Sequence, residues 1–216
     1  VPTQDPAPDL RDEPEGWPVV ASTDLHRDHW VVALRGDEVT LPTGGEAFRR
    51  IVLEHPGSVI VLGVDEQERV YTQAQYRHPV RHRVVELPAG LCDVPGEDPV
   101  EVARRELLEE AALVAEEWTH LLSTWSSPGL SDERIHIYLA RGLRDGDRGD
   151  FELVHEEALL EARWVPFDEL LAAVLDGRVA DGPVVQAVLA YEVRRDELTA
   201  GRPGTTGRTG IAGGAG

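Results

Sequence analysis

Three glutamates, Glu106, Glu109 and Glu110, fall in one short run, RELLEE, at residues 105–110. On a helix this spacing puts them on one side together with Val102 and Leu113. Like charges so placed repel by roughly 0.2–0.5 kcal/mol per pair on an exposed helix, and more when partly buried. Part of the run reads as an ordinary solvated face, because Glu101, Arg105 and Glu109 are spaced four apart as a charge ladder. Glu106 and Glu110 do not fit that reading, since their helical neighbours are Val102, Leu113, Val114 and each other, with no basic partner within the helix. The loop before them, PAGLCDVPGE (88–97), supplies flexible glycines, Gly90 and Gly96, so that backbone carbonyls can turn toward the carboxylates. An all-oxygen nest suits a hard divalent cation, Mg2+ or Mn2+, whereas zinc would ask for His or Cys. Such a cation would cancel the repulsion and make ligands of the glutamates.

The elements that must hold this group follow from the hydrophobic pattern. A helix is expected over 98–113, with Asp98 as N-cap and Pro99 at its first position. Its apolar stripe, Val100, Ala103, Leu107 and Ala111, would pack on a sheet. Strands are expected at 48–55, 58–65, 69–78, 118–126, 134–143 and 161–167, and residues 29–42 read as a hairpin turning near Gly36-Asp37. Two helices follow, at 167–177 and 182–197. Strands on both sides of one helix, with helices at the end, predict a layered α/β (α+β) fold. Residues 1–16 read as a disordered tail, 17–55 as an N-terminal β lobe, 56–198 as the main domain and 199–216 as a flexible Gly-rich tail.

The chain of 216 residues is 41% hydrophobic, enough for a real core, and its formal net charge is −19 with arginine as the only strongly basic residue. That field disfavours nucleic acid and anionic membrane surfaces as partners. Cys92 is the only cysteine, so neither an internal disulfide framework nor a cysteine zinc site is expected. The N-terminal residues lack a signal-peptide layout and no stretch approaches a membrane span, so a cytoplasmic location is the expectation.

Gly90, then Glu97, then seven residues to RELLEE resembles the Nudix box, the loop-helix signature of the Nudix hydrolases. The loop between Gly90 and Glu97 is one residue longer than the general pattern, and the closing glycine of the box is Ala112 here, a residue that takes positive φ poorly. The resemblance implies a Nudix-type α/β/α sandwich with a mixed sheet, preceded by the N-terminal β lobe, and cleavage of a diphosphate with Mg2+, or Mn2+, as cofactor. By the same resemblance Glu106 and Glu110 are the principal metal ligands, Glu109 a further ligand or acid, and Ala89 contributes its carbonyl. Arg105 orients the glutamates, and Glu97 supports loop and helix. A carboxylate outside the box takes the proton, and Glu156 or Glu157, in FELVHEEALLEARW, is the candidate.

The subgroup is suggested outside the box. AQYRHPVRHRVVELPAG (74–90) and SSPGLSDERIHIYLA (126–140), with Pro128, resemble the segments flanking the box in bacterial ADP-ribose pyrophosphatases. This implies ADP-ribose, cleaved to AMP and ribose 5-phosphate, or else another nucleoside diphosphate sugar or a dinucleotide. It places Arg77, Glu86, Arg50 and Pro128 at the substrate, though Arg77 would equally form a salt bridge at a strand edge. Trp17, Trp30 and Tyr76 could stack an adenine or be buried in a core or interface, and His78 and His82 are structural. The subgroup also implies a homodimer that shares its site between subunits. Against the enzyme stand a catalytically silent ADP-ribose sensor and an acidic interaction module. The intact RELLEE argues against the first, and LPAG and SPGLSDE are unexplained by the second.

Overall fold

The structure, a computed structural model, describes residues 10–27, 33–149 and 159–200; Trp30, Glu156 and Glu157 lie outside them. The chain divides into two compact units, one running through Glu54 and the other from His55.

The first unit is an antiparallel sheet of β1 (Val19–His26), β2 (Ala33–Val39) and β3 (Phe48–Glu54), with β2 in the middle. The hairpin expected at Gly36-Asp37 is absent: both residues lie in the middle of β2, Gly36 opposite Thr23 and Ile51. The glycine serves a close approach rather than a turn, because a Cβ there would lie 2.7 Å from Nε of Arg49. Asp37 is held by bonds along the sheet, accepting from Ser22 Oγ at 2.6 Å and Arg35 Nε at 3.0 Å.

The second unit contains β4 (Ser58–Gly63), β5 (Arg69–Arg77), β6 (His82–Glu86), β7 (Ala89–Leu91), α1 (Pro99–Ala111), β8 (Leu113–Trp125), β9 (Arg134–Asp145), β10 (Glu161–Pro166), α2 (Phe167–Leu175) and α3 (Gly182–Thr199). One sheet runs β7-β4-β9-β8, with β4 and β9 parallel and the other pairs antiparallel; a second runs β10-β5-β6, wholly antiparallel. All six residues of β4 are buried, and its side chains alternate between two cores. Val59 and Val61 meet Val102, Ala103 and Leu107 of α1, while Ile60 and Leu62 belong to the cluster containing Phe167 of α2 and Val184, Val188 and Tyr191 of α3. Helices thus cover both faces of a mixed sheet, the α/β/α sandwich. Burying each such Val or Leu stabilises by about 1.5–3 kcal/mol, which fixes α1 on the strand that also pairs with the glycine loop. Among the described residues no helix is long and apolar enough to cross a membrane.

Helix α1 begins as its sequence predicts: Asp98 accepts a hydrogen bond from Val100 N at 3.1 Å, and Pro99 opens the helix. Its buried side differs from the expected stripe. Val102, placed by spacing with the glutamates, is wholly buried, and Glu110 is buried as well. The helix ends at Ala112, which adopts the left-handed conformation, φ 52° and ψ 38°. Alanine pays roughly 1–2 kcal/mol there, so Ala112→Gly is expected to raise stability. The expected gain is about 0.5–1 kcal/mol by urea denaturation, after glycine's greater freedom in the unfolded chain is subtracted.

Candidate active site

The site is assembled from α1, β7 and β5. Strand β7 pairs with β4, Val59 opposite Gly90 and Ile60 opposite Ala89, and this lays the loop backbone against α1. Gly90 was expected to lend flexibility, but its φ is not positive; Gly96, with φ 83°, is the loop residue that uses glycine's freedom. Gly90 instead gives room. A Cβ on it would lie 2.1 Å from Cγ and Cδ of Glu106, so this glutamate packs directly on the backbone of the strand.

Arg105 gathers the carboxylates. Its Nη1 donates to Glu106 at 2.7 Å and to Glu109 at 3.2 Å, and its Nη2 stands 3.8 Å from Glu97. The helix therefore does supply Glu106 with a basic partner, contrary to the spacing argument, because the long arginine side chain curls back to its sequence neighbour. Burial lowers the arginine's pKa, but Glu106, Glu109 and Glu97 together outweigh it and raise the pKa above its ordinary value. Glu110 is held differently. Its Oε2 accepts from Gln73 Nε2 at 2.9 Å and from the backbone N–H of Ala89 at 3.0 Å. Ala89 was expected to offer its carbonyl; the described bond uses its amide.

The other polar residues of β5 lead away from the helix on the same face. Tyr71 packs with the α1 cluster, Gln73 holds Glu110, and Gln75 and Arg77 both reach Glu86 of β6. Strand alternation puts these four residues on one side. Glu86 is buried and accepts from Gln75 Nε2 at 2.8 Å and from Arg77 Nε and Nη2 at 2.7 and 2.8 Å. The salt bridge that the sequence offered as the alternative for Arg77 is formed, and this hydrogen-bonded pairing with Glu86 raises the Arg77 pKa. Arg77 and Glu86 line a cavity of about 720 Å³ together with Ala89, Arg178, Asp181 and Pro183. Asp181, not singled out from sequence, caps α3 by accepting from Val184 N at 3.1 Å. Burial raises its pKa, the bond from Val184 opposes this, and Glu86 adds to the rise.

A folded-state pKa above the unfolded one means that the native protein binds more protons, so stability falls as pH rises from the ordinary aspartate value, about 3.9, through the folded value. Asp181→Asn keeps the cap and removes the buried charge. It is expected to melt higher than the parent at pH 7, with the difference vanishing below the ordinary aspartate pKa, as checked by thermal melts across pH.

Arg50 belongs to the first unit, where its guanidinium lies 4.4 Å from the ring centre of Phe48. Pro128 is in the exposed turn between β8 and β9. Trp17 packs edge-on against Phe48, and Tyr76 lies beside His78, its hydroxyl 3.2 Å from Nδ1. Glu156 and Glu157 lie outside the described residues.

The donor chemistry suits a hard cation: three carboxylates on one helix, a glycine backbone pressed to one of them, and two buried oxygens, Gln73 Oε1 and Glu97 Oε2, that have no hydrogen-bond partner among the described residues. As they stand, no three acidic, histidine or cysteine side chains among the described residues are arranged to hold an ion. Arg105 keeps Glu106 and Glu109 to itself, and Gln73 and Ala89 keep one oxygen of Glu110.

The family model of the NUDIX domain matches residues 54–188. The chain is 39% identical over 184 residues to an ADP-ribose pyrophosphatase of Mycobacterium tuberculosis (strain ATCC 25618 / H37Rv), covering 85% of this chain and 87% of that protein. It is 37% identical over 158 residues to a methanol dehydrogenase activator of Bacillus methanolicus, covering 73% and 83% respectively. A crystal structure of an ADP compounds hydrolase superposes with a TM-score of 0.69 at 18% identity, covering 89% of this chain and all of that one, and so shares the fold. The chain belongs to the NUDIX family. It is a hydrolase of a class whose members need a divalent metal.

Proposed function

We propose that the protein hydrolyses the diphosphate linkage of ADP-ribose to AMP and ribose 5-phosphate with Mg2+, as a cytoplasmic homodimer. The observation behind this reading is the junction at Ala89. Its amide holds Glu110 of the glutamate helix, and the same residue lines the cavity of Arg77 and Glu86. A nucleotide sugar lying in that cavity would meet the carboxylates where its diphosphate begins.

Glu106, Glu109 and Glu110 would hold the cation, with Arg105 releasing the first two as it loads. When bound, the cation neutralises the diphosphate and lowers the pKa of a water. Glu156 or Glu157 would take the proton of the attacking water. The water oxygen bonds to phosphorus as the bridging P–O bond breaks. Arg105, freed from Glu106 and Glu109, would balance charge on the departing phosphate. The Arg77–Glu86 pair stiffens the cavity wall. Exposed Trp17, Val19, Val20, Leu25 and Ile51 of the first unit provide apolar surface suited to a second copy.

The test is product analysis with ADP-ribose, ADP-glucose and UDP-glucose, with and without millimolar Mg2+. AMP formed from ADP-ribose only with metal supports the proposal. Preference for another sugar moves the substrate within the nucleoside diphosphate sugars, and saturable ADP-ribose binding without turnover identifies a sensor.

A further inference from the structure

Gln73 is 2% exposed, yet it is neither apolar nor charged, and an ordinary half-buried strand would bury an aliphatic residue there. Its neighbours explain half of its chemistry. On one side along β5 is Tyr71, packed with α1; on the other are Gln75 and Arg77, both committed to Glu86, which is the cross-strand partner of Gln73 itself. Gln73 Nε2 donates to Glu110 at 2.9 Å, on the same carboxylate oxygen that takes the Ala89 amide. Two donors on one oxygen fix the plane of that carboxylate. The other half is unexplained by the described residues: Gln73 Oε1 is buried with no hydrogen-bond partner among them. Leaving a buried amide oxygen unpaired costs about 1–3 kcal/mol, so a fold that keeps it calls for a partner beyond the described residues. The same side-chain amide already bonds through its nitrogen to Glu110 of the glutamate helix, where an oxygen could serve a cation.

We propose that Gln73 is a positioning residue of the cation site: its Nε2 sets the orientation of Glu110, and its Oε1 joins the oxygen donors around the divalent cation. This rests on the metal-binding role of the glutamates proposed above and adds a donor from outside the helix. A neutral amide carbonyl is a good ligand for a hard cation and adds no repulsion to three clustered carboxylates. Aspartate or glutamate at this position would bring a fourth negative charge beside Glu110.

The experiment is a titration with Mn2+ alone, read by the electron paramagnetic resonance of the free ion, on the parent, Gln73→Leu and Gln75→Leu, with no nucleotide present. Gln73→Leu is expected to bind Mn2+ about tenfold more weakly or worse, in line with the loss seen when partners of metal ligands are removed. Gln75→Leu, whose side-chain amide bonds to Glu86 rather than to Glu110, stays within about twofold. In turnover, Gln73→Leu raises the metal concentration needed for half activity and leaves the KM for ADP-ribose unchanged, a split that mere loosening of the fold would not produce. Should Gln73→Leu fail to fold, Gln73→Asn, polar but one methylene shorter, is expected to show the same loss. Unaltered Mn2+ affinity in a folded Gln73 variant, or a parent that binds no Mn2+, overturns the proposal. Intact Mn2+ binding without ADP-ribose turnover in the parent leaves it standing and overturns only the substrate.

Discussion

Glu110→Gln is expected to leave a folded protein that turns over ADP-ribose about a thousandfold more slowly, a loss of about 4 kcal/mol of transition-state stabilisation. The substitution is nearly isosteric, so Val102, Ala103 and Leu107 keep α1 in place. What changes is charge and donor balance. Gln73 Nε2 and the Ala89 amide both point hydrogens at Oε2 of residue 110, and the new side chain can answer them with its one carbonyl oxygen. Its NH2 group then occupies the other position, where it can only donate, and a donor repels a cation. The measurement is kcat across a range of Mg2+ concentrations, beside a circular dichroism melt. An intact melt with activity within tenfold of the parent would remove Glu110 from the ligand set.

Gly90→Ala is the second large effect, and it arises from volume alone. The new methyl group would stand 2.1 Å from Cγ and Cδ and 2.2 Å from Oε1 of Glu106, separations that no packing tolerates. The flexible glutamate yields more cheaply than the paired backbone of β7, so Glu106 swings off the strand and away from Arg105. Metal affinity should fall at least tenfold and kcat with it, while the urea midpoint moves little. Unchanged metal affinity would show that Glu106 is not where the cation binds.

Much of the glutamate segment was legible because its residues are chemically extreme. Glutamates in a fixed spacing, a proline after an aspartate and a glycine loop each have few structural meanings. The longer strands and the two last helices were legible from alternation and periodicity. Other features were hidden for physical reasons. Strand β1 is exposed along its whole length, so no hydrophobic period marks it; only its backbone pairing to β2 makes it a strand. Gly36-Asp37 has turn composition, but the glycine makes room for Arg49. Val102 shares a helix side with the glutamates by angle, yet the sheet wraps far enough around α1 to bury it. Gln73 escaped notice because glutamine does not titrate. Its signal was the pair of glutamines at alternate positions leading to Arg77, since a buried strand face seldom spends two amides without a purpose.

The cavity and the glutamate helix share few residues. The cavity wall comes from the end of β5, β6 and the segment before α3, the carboxylates come from α1, and Ala89 is the hinge post between them. On the proposed function, substitutions at Arg178 or Pro183 would reshape the recognised sugar or base without disturbing the cleavage step. A lineage built on this arrangement can change its diet while keeping its teeth, and close relatives with equally intact glutamates are free to differ in the molecule they cut.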